Sequence, residues 1–300
     1  MLDFEKKYWS KGLCNVAGID EVGRGPLCGP VVSASVVLPV DLRIPEINDS
    51  KKLSAKKRNK LYKIITKEAI SIGIGVVHED QIDQMNILNA TILSMNQSID
   101  ALEVPPDMLL VDGNLKKISS IAQESIIKGD SKSQSIAAAS IIAKVTRDKM
   151  MTQYDRVFPG YGLAKNMGYG TKQHMGALKE LFSTPIHRQS FKPVSSYIPS
   201  FKDIGDISKL SIQIAGAKLI RNGHEILDIN YNSTSINILS SKDDDFYAFI
   251  LNKEVGSIKE KAMSSLKELL SEKDTTHSIN ISVISVQFSK DKPKVIFKSI

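Results

Sequence analysis

Short apolar runs alternate with amphipathic segments along the first two thirds of the chain. Apolar runs bounded by turn residues predict buried strands at Val16–Ile19, Val31–Leu38, Ser71–Val77, Met108–Asn114 and Ser125–Ile127. Apolar residues at helical spacing predict helices over 55–69, where Ser54 is the expected N-cap, and over 81–102, 133–151 and 171–182. This alternation predicts an α/β fold in which helices flank a sheet.

The segment Ala17–Pro30 contains the main candidate chemistry. Two adjacent acids, Asp20 and Glu21, follow the first apolar run, and a glycine-rich loop with one arginine, Arg24, comes next. Because side chains alternate along a strand, neighbouring acids can converge only where the strand ends, which we expect near Gly23. An acid pair beside an amide-rich loop suits a divalent metal and a phosphate held together. The pair alone also fits a surface turn with two solvated acids.

Two further acids follow apolar runs in the same way. Asp112 ends the run that begins at Met108, and Asp130 follows the short run at Ser125–Ile127. Ligands of α/β proteins bind at the carboxyl ends of strands, so these acids are candidates for the same site. Tyr169, in a later glycine-rich loop, could stack on a sugar or a base, although a plain connector fits the loop as well.

Composition narrows the classes of protein and partner. The chain has 300 residues, a length that predicts one large and one smaller domain. Of these residues 42% are hydrophobic and 24% are charged, as is ordinary for a soluble globular protein. We find neither a membrane-spanning apolar stretch nor a signal-peptide pattern, and no membrane partner is expected. Two cysteines, Cys14 and Cys28, are too few for a disulfide framework, so a reducing compartment, the cytoplasm, is expected.

Positive charge is concentrated in the front part of the chain. The net charge is +7, of which residues 1–199 carry +6. Lysines and one arginine surround the predicted helix 55–69, and the turn before it contains Ser50, Lys51 and Lys52. This pattern fits contact with the phosphates of a nucleic acid, with the turn as the stronger candidate, and it also fits a solvated basic face.

Seven pieces of the first 195 residues resemble motifs of the type 2 ribonuclease H family (ribonuclease HII), in the order that the family has them. They are GIDEVGRGP (18–26), DSKKLS (49–54), VDG (111–113), KGDSK (128–132), SIAAASIIAKVTRD (135–148), GYGTK (168–172) and HRQSF (187–191). One departure is Asn166-Met167, where the family usually has His-Lys. We expect the missing cation to weaken a phosphate contact rather than the chemistry.

The resemblance implies an RNase H-like mixed β-sheet flanked by helices and a two-metal nuclease. Asp20, Glu21, Asp112 and Asp130 would be its catalytic carboxylates and would bind two Mg²⁺ or Mn²⁺ ions, which activate water and stabilise the leaving 3′-oxygen. The resemblance implies that Gly23, Arg24 and Gly25 recognise the 2′-hydroxyl and that Tyr169 packs on a deoxyribose. The turn Ser50, Lys51 and Lys52 is a further candidate for substrate binding because of its charge.

The implied substrates are RNA–DNA hybrids and single ribonucleotides embedded in DNA, as in ribonucleotide excision repair. The cut would lie 5′ of the ribonucleotide and leave a 3′-hydroxyl and a 5′-phosphate. We expect a monomer, and contact with a replication clamp is left open. A type 3 enzyme, which needs longer RNA tracts, and a hybrid-binding module without catalysis are the alternatives. The Gly-Arg-Gly loop and the lack of an N-terminal substrate-binding domain disfavour the first, and the four acids disfavour the second.

The last hundred residues call for a separate interpretation. We expect domains at 1–195 and 209–300 with a linker at 196–208. The second is predicted to be a small α/β domain with a helix at about Ser257–Leu270. Its sequence resembles a degenerate YraN-like domain of the restriction-endonuclease-like superfamily. Where that family has Gly-Glu-Ile-Asp and Glu-Val-Lys, this chain has Thr234–Asn237 and Leu251–Lys253. Because the metal-binding acids are missing, we expect this domain to be non-catalytic.

Overall fold

The computed structural model describes residues 1–231, 236–243, 245–251, 279–288 and 293–299. The chain divides into two units, the first comprising 1–149, 168–170 and 187–195, and the second comprising 150–167, 171–186 and 196–300. The second unit therefore includes segments that the sequence analysis assigned to residues 1–195. The predicted domain boundaries stay a prediction.

The helices and strands alternate as the apolar pattern indicates. The helices are α1 (Asp3–Trp9), α2 (Ala55–Glu68), α3 (Glu79–Met85), α4 (Ile87–Asp100), α5 (Gln134–Val157), α6 (Leu163–Asn166), α7 (Lys172–Leu181), α8 (Lys192–Ser195) and α9 (Ile207–Arg221). The strands are β1 (Val16–Val22), β2 (Val31–Val37), β3 (Ser71–Val77), β4 (Met108–Asp112), β5 (Gln123–Ile126), β6 (Glu225–Ile229), β7 (Ile238–Lys242), β8 (Asp245–Leu251), β9 (Ile279–Gln287) and β10 (Lys294–Ser299). Short 3₁₀ turns lie at Ser50–Lys52, Gly129–Ser131 and Phe201–Asp203.

A five-stranded mixed sheet forms the core of the first unit, in the order β3-β2-β1-β4-β5. β2 pairs antiparallel with both β1 and β3, whereas β4 runs parallel to β1 and β5 runs parallel to β4. The carboxyl ends of β1, β4 and β5 therefore lie side by side at one edge of the sheet. This confirms the predicted α/β class with a mixed sheet flanked by helices.

Small residues bring α4 very close to one face of this sheet. The Ser33 and Ser35 hydroxyls on β2 lie 2.6 and 2.7 Å from those of Ser94 and Ser98 on α4. A Cβ atom added at Gly73 of β3 would lie 1.9 Å from the Ser98 carbonyl oxygen. Side chains larger than serine would push the helix away, so this contact requires the small residues found there.

Helix α5 approaches β1 equally closely. Ala137, Ala138 and Ala139 are fully buried on α5. A Cβ atom added at Gly18 would lie 2.0 Å from the carbonyl carbon of Ser135. The small residues of α5 therefore let it pack directly beside the strand that carries Asp20.

Two elements differ from the predicted limits. β1 is longer than the apolar run Val16–Ile19, because β2 keeps pairing with it through Val22↔Val32, and it ends next to Gly23, where the strand end was expected. The single helix expected over 81–102 is two helices, α3 and α4. Asn86 separates them at φ 71°, and its side chain accepts hydrogen bonds from the backbone N–H groups of Leu88 and Asn89. The apolar spacing continues across this break, so periodicity does not reveal it.

The sequence predicts other elements well. β3 has the predicted limits, and α2 begins after Ser54, whose hydroxyl accepts the Lys57 N–H at 3.3 Å. Helix α9 begins earlier than expected, at Ile207 inside the predicted linker. It begins there because the Asp206 carboxylate caps its first turn through the N–H groups of Ser208 and Lys209.

The second unit contains another five-stranded sheet, in the order β10-β9-β8-β7-β6. Only β8 and β9 pair parallel among these strands; the other neighbours are antiparallel. Leu239, Ala248, Ile250 and Ile281 form one apolar cluster on it. The helix predicted at Ser257–Leu270 lies outside the described residues. In the part of the chain that the structure describes, no helix has the length and apolar character to span a bilayer.

Replacing Gly18 tests the close approach of α5 to β1. We expect Gly18→Ala to lower the free energy of unfolding by at least about 3 kcal/mol, the upper end of the range for overpacking, because the new methyl group would meet backbone atoms. Urea denaturation followed by circular dichroism measures this. Gly176→Ala is the control, since a Cβ atom there meets nothing within 4 Å, and on helix α7 it is expected to be neutral or to stabilise by up to about 1 kcal/mol. Equal effects of the two substitutions would contradict the packing.

Candidate active site

The predicted carboxylates meet at the carboxyl ends of three neighbouring strands. β1 and β4 pair in parallel up to Ile19↔Val111, so Asp20 and Asp112 come next on adjacent strands. Glu21 follows Asp20 within β1, and Asp130 lies in the 3₁₀ turn after β5. The topology therefore brings together all four acids that the sequence singles out, although the two on β1 lie inside the strand rather than beyond its end.

Hydrogen bonds fix two of these carboxylates. One Asp20 oxygen accepts the Glu21 N–H at 2.8 Å, and the hydroxyl of Ser140 on α5 donates to the same carboxylate. One Asp112 oxygen accepts the Gly129 N–H at 2.6 Å, which ties the end of β4 to the turn that carries Asp130. Carboxylates held in this way offer their remaining oxygens in fixed directions.

Burial and mutual repulsion raise the pKa of three of the acids. Asp20 is 7% exposed, and loss of water, then the charges of Glu21 and Asp112, raise its pKa well above the usual range. Loss of water also raises the pKa of Glu21, against the nearby charge of Arg24. Loss of water and the charges of Asp112 and Asp49 raise the pKa of Asp130. Asp112 thus acts on all three, and the cluster holds more negative charge than it can stabilise alone.

The acid that adjoins Asp130 is Asp49, which the sequence analysis did not place in the site. Its carboxylate accepts a hydrogen bond from the protonated form of Asp130, and one of its oxygens accepts the Lys51 N–H at 2.9 Å. Asp49 therefore joins the 3₁₀ turn Ser50–Lys52 to the carboxylate cluster. Its position directly before the Ser-Lys-Lys triplet, typical of a capping residue, was the available signal.

A cavity of about 330 Å³ opens beside these acids. Three acids and three lysines line it together with Ser131: Asp49, Asp112, Asp130, Lys51, Lys52 and Lys128. Burial works against the charge on Lys51, but the carboxylates of Asp20, Asp49 and Asp130 raise its pKa. Lys51 therefore stays cationic next to the acids, so this pocket can attract both a metal ion and a phosphate.

Lys52, Ser50 and Tyr169, which are also predicted to bind substrate, differ in exposure and in contacts. Lys52 is exposed and lies 4.0 Å from Asp49. Ser50 is buried, and its hydroxyl lies 2.9 Å from that of Ser140, so it joins the turn to α5. Tyr169 is 43% exposed. The roles proposed for these residues in substrate binding stay predictions.

The Gly-Arg-Gly loop begins immediately after the carboxylates of β1. The Arg24 guanidinium lies 3.3 Å from the Glu21 carboxylate. Gly23 has φ +98°, where an L side chain is strained, and a Cβ atom there would also collide with the Arg147 side chain at 2.3 Å. A Cβ atom at Gly25 would lie 3.6 Å from the Tyr169 ring, so the tyrosine faces this loop.

Two buried arginines are functional candidates that the sequence analysis missed. Arg147 and Arg188 are fully buried, and both donate hydrogen bonds to backbone carbonyls of the loop that joins β1 to β2. Charged residues are seldom buried completely. The sequence held only a weak signal for them, since each lies within a family-like motif without any mark of burial.

The donor set fits hard divalent cations. The cluster offers only carboxylate oxygens, which Mg²⁺ and Mn²⁺ prefer. Loss of water, and in each case also repulsion by the charge of Asp112, raises the pKa of Asp20, Glu21 and Asp130 in the absence of a cation. A bound divalent ion would remove this repulsion. Asp20, Glu21, Asp112 and Asp130 are therefore suited to hold such ions.

Comparison with known proteins agrees with this geometry. The family model for ribonuclease HII matches residues 17–194. Ribonuclease HII of Leuconostoc citreum (strain KM20) is 52% identical over 201 residues, which are 67% of this chain and 77% of that protein.

Two solved structures resemble the chain as well. The ribonuclease H2 from Pyrococcus horikoshii OT3 has a TM-score of 0.54 and 27% identity, over 61% of this chain and 96% of its own. The ribonuclease HII in a PCNA complex from Archaeoglobus fulgidus has a TM-score of 0.52 and 27% identity, over 59% and 95%.

Asp20→Asn tests the electrostatic cost of the cluster. In the metal-free protein we expect this substitution to raise the free energy of unfolding at pH 8 by about 1–2 kcal/mol, because it removes a buried, repelled charge. A raised pKa means that the folded protein keeps the proton of Asp20 to a higher pH than the unfolded chain. Stability contributed by this group is therefore present below its ordinary pKa of 3.8 and lost as the pH rises through the raised pKa. The increase in the free energy of unfolding caused by Asp20→Asn should accordingly be larger at pH 8 than at pH 5.

Thermal unfolding in EDTA and in Mn²⁺ measures both parts of this prediction. Mn²⁺ should stabilise the unmodified protein and should stabilise the Asp20→Asn variant much less. Asp100→Asn, an exposed acid at the end of α4, is the control and should change neither value. A variant that is less stable than the parent in EDTA at pH 8 would contradict the predicted repulsion.

Proposed function

The chain belongs to the ribonuclease HII family, and we propose that this endoribonuclease, which acts on the RNA of RNA–DNA hybrids, also incises DNA on the 5′ side of single embedded ribonucleotides. One observation carries the proposal: the Gly-Arg-Gly loop follows the carboxylates of β1 without an intervening residue other than Val22. A group that reads a sugar in this loop would thus lie next to the group that acts on its phosphate. This adjacency suits recognition of one ribonucleotide better than recognition of a long tract.

We assign the chemistry to the carboxylate cluster. Asp20, Glu21, Asp112 and Asp130 would hold two Mg²⁺ or Mn²⁺ ions, which supply an activated water and neutralise charge on the leaving oxygen. Asp20 and Asp112 are oriented for this by the N–H groups of Glu21 and Gly129. The expected products are a 3′-hydroxyl and a 5′-phosphate.

The cationic residues beside the cluster are assigned to the nucleic acid. Lys51 keeps its charge inside the cavity and would bind a phosphate next to the cut. Gly23, Arg24 and Gly25 would bind the 2′-hydroxyl, which distinguishes RNA from DNA. Tyr169, exposed beside Gly25, would pack on the neighbouring deoxyribose.

We propose that the C-terminal sheet contains no second nuclease centre. In the YraN-like pattern Asn237 replaces the aspartate, and it is 2% exposed. Its amide nitrogen donates to the Asn230 carbonyl at 3.1 Å, and its oxygen accepts the Leu251 N–H at 2.7 Å. Asn237 therefore joins segments of the sheet. Thr234, Asn252 and Lys253 lie outside the described residues.

Contact with a replication clamp and a monomeric state stay predictions for this chain. The structure from Archaeoglobus fulgidus is that of a PCNA complex, which describes that protein and not this chain.

Asn166 and Met167 replace the family's His-Lys. Asn166 donates its side-chain N–H to the Tyr161 carbonyl at 2.7 Å, and Met167 has a left-handed backbone. The dipeptide that replaces the family's His-Lys thus has a structural role in its own loop.

A duplex with one ribonucleotide tests the proposed activity. With Mg²⁺ or Mn²⁺ we expect a single cut on the 5′ side of the ribonucleotide and no cut in the all-DNA duplex. Asp112→Asn should reduce the rate by at least about 100-fold, a loss typical of removing a group that stabilises the transition state. Asp100→Asn should leave the rate unchanged.

Denaturing electrophoresis of end-labelled strands locates the cut and identifies its ends. Cleavage of long RNA tracts alone would contradict the assignment of the Gly-Arg-Gly loop and favour a type 3 enzyme. Binding without cleavage in either metal would favour the binding module.

Four lysines on α2 extend the basic surface away from the turn Ser50–Lys52. Lys56, Lys60, Lys63 and Lys67 are spaced four, three and four residues apart, so they share one helix face, and all are exposed. Arg58 anchors this helix to the turn by donating to the carbonyls of Ser50 and Leu53, both at 3.1 Å. We assign the lysine face to the phosphates of the duplex beyond the cut.

Salt dependence tests this assignment. In an Asp112→Asn background, which prevents cleavage, the double substitution Lys60→Gln with Lys63→Gln should weaken duplex binding. It should also reduce the slope of log K against log[salt] by about 1–2, close to 0.9 for each phosphate that the lysines no longer neutralise. Fluorescence anisotropy at several salt concentrations measures the slope. The control pair Lys6→Gln with Lys11→Gln, near α1, should leave it unchanged, and equal slopes for both pairs would contradict the assignment.

A further inference from the structure

Arg188 binds the backbone of the loop that joins β1 to β2 at four residues. Its side chain is completely buried. It donates hydrogen bonds to the carbonyl oxygens of Gly23 at 2.5 Å, Arg24 at 2.9 Å, Pro26 at 2.8 Å and Gly29 at 2.8 Å. One planar guanidinium thus fixes the orientation of four peptide planes in a loop that has no regular secondary structure.

Arg147 holds the second half of the same loop. It reaches the loop from α5 and donates to the Pro30 carbonyl at 2.8 Å and to the Cys28 carbonyl at 3.1 Å. Its side chain also fills the space beside Gly23 that a Cβ atom would occupy. The two arginines together donate to inward-facing carbonyls along the whole loop.

The segment around Arg188 is itself held in place. Asp83 on α3 accepts the N–H groups of Gln189 and Ser190, both at 2.9 Å. The Arg188 guanidinium lies 5.1 Å from the centre of the Phe191 ring, and the backbone N–H of Arg188 donates to the Leu27 carbonyl at 2.9 Å. Arg188 is therefore oriented before substrate arrives.

Two buried guanidiniums are an unfavourable means of stabilising a loop. Burial and then the charge of Arg147 lower the pKa of Arg188 to about 10. Replacing buried charges by apolar groups is often neutral or stabilising, so buried charges are weak evidence for a role in stability alone. A role in fixing one loop conformation explains their presence better.

The orientation of the carbonyls determines the orientation of the amides. In a trans peptide unit the C=O and N–H groups point in opposite directions. Because the carbonyls of Gly23 and Arg24 point at Arg188, the N–H groups of Arg24 and Gly25 point away from it. Successive outward N–H groups form a site for an electronegative oxygen. Tyr169, next to Gly25, faces the same loop.

We propose that Arg188, supported by Arg147, is a positioning residue for ribonucleotide recognition. It holds the peptide planes of Gly23–Gly25 so that their amides meet the 2′-hydroxyl, and it thereby sets the preference for a ribonucleotide over a deoxyribonucleotide. This inference rests on the proposed function of the loop. Arg188 acts through the loop and does not touch the substrate.

The test compares two duplexes that differ by one 2′-hydroxyl. Binding is measured with Ca²⁺ in an Asp112→Asn background, so that no cleavage occurs, and the quantity of interest is the ratio of the two affinities. Arg188→Lys keeps the charge but cannot hold four carbonyls. We expect it to reduce the affinity ratio by about tenfold, as for the loss of a well-formed hydrogen bond, and to leave binding of the all-DNA duplex unchanged. Arg43→Lys, an exposed arginine, should leave the ratio at the parental value.

A second variant provides the test if Arg188→Lys does not fold. Phe191→Leu removes the ring beside the guanidinium and should reduce the affinity ratio in the same direction by a smaller factor. Thermal unfolding identifies the variants that are folded. A parental affinity ratio in a folded Arg188→Lys protein overturns the proposal, as does a parental ratio in Phe191→Leu if the first variant does not fold. If the parent itself shows no preference for the ribonucleotide, the proposed function of the loop fails, and the positioning role fails with it.

Discussion

Repulsion among carboxylates in a partly dry site is the constraint on which the surrounding structure depends. Asp20, Glu21, Asp112 and Asp130 come together because three strands end at one edge of the sheet. In this buried setting, loss of water and nearby like charges raise the pKa of Asp20, Glu21 and Asp130, and the fold contributes only partial relief through the hydroxyl of Ser140 and the backbone N–H groups. Bound divalent cations would remove this cost. The unfavourable repulsion among the carboxylates of the metal-free site is therefore consistent with a site that binds divalent cations.

Close packing keeps this cluster in place. Gly18 lets α5 lie directly against β1, and that contact brings Ser140 to the carboxylate of Asp20. Small residues on β2 and β3 bring α4 equally close on the other helix layer. Rigid packing on helices and strands positions side chains more accurately than loops can. The loop that joins β1 to β2 lies outside these helices and strands, and hydrogen bonds from Arg147 and Arg188 hold its carbonyl groups.

The sequence predicted what depends on local pattern. The limits of β3, the Ser54 cap of α2 and the convergence of four acids all follow from apolar runs, capping chemistry and the rule that ligands bind at strand ends. Features that depend on distant contacts were missed. The pairing of β2 extends β1 beyond its acids, and a left-handed Asn86 divides one periodic segment into two helices.

The residues missed in the site have the same physical origin. Asp49, Arg147 and Arg188 are polar residues whose importance comes from burial and from partners far away in the chain. A single sequence does not show which arginine is buried, since most are exposed. The four acids were recognised because each follows an apolar run, whereas the arginines lie within a helix and an irregular segment.

Anomalous diffraction at the manganese edge, from crystals of the unmodified protein grown with Mn²⁺, tests whether the four carboxylates bind metal. We expect Mn²⁺ at the carboxyl ends of β1 and β4, bound by oxygens of Asp20 and Asp112 and by at least one of the other two acids. Manganese bound elsewhere, with these four carboxylates free of metal, would contradict this expectation.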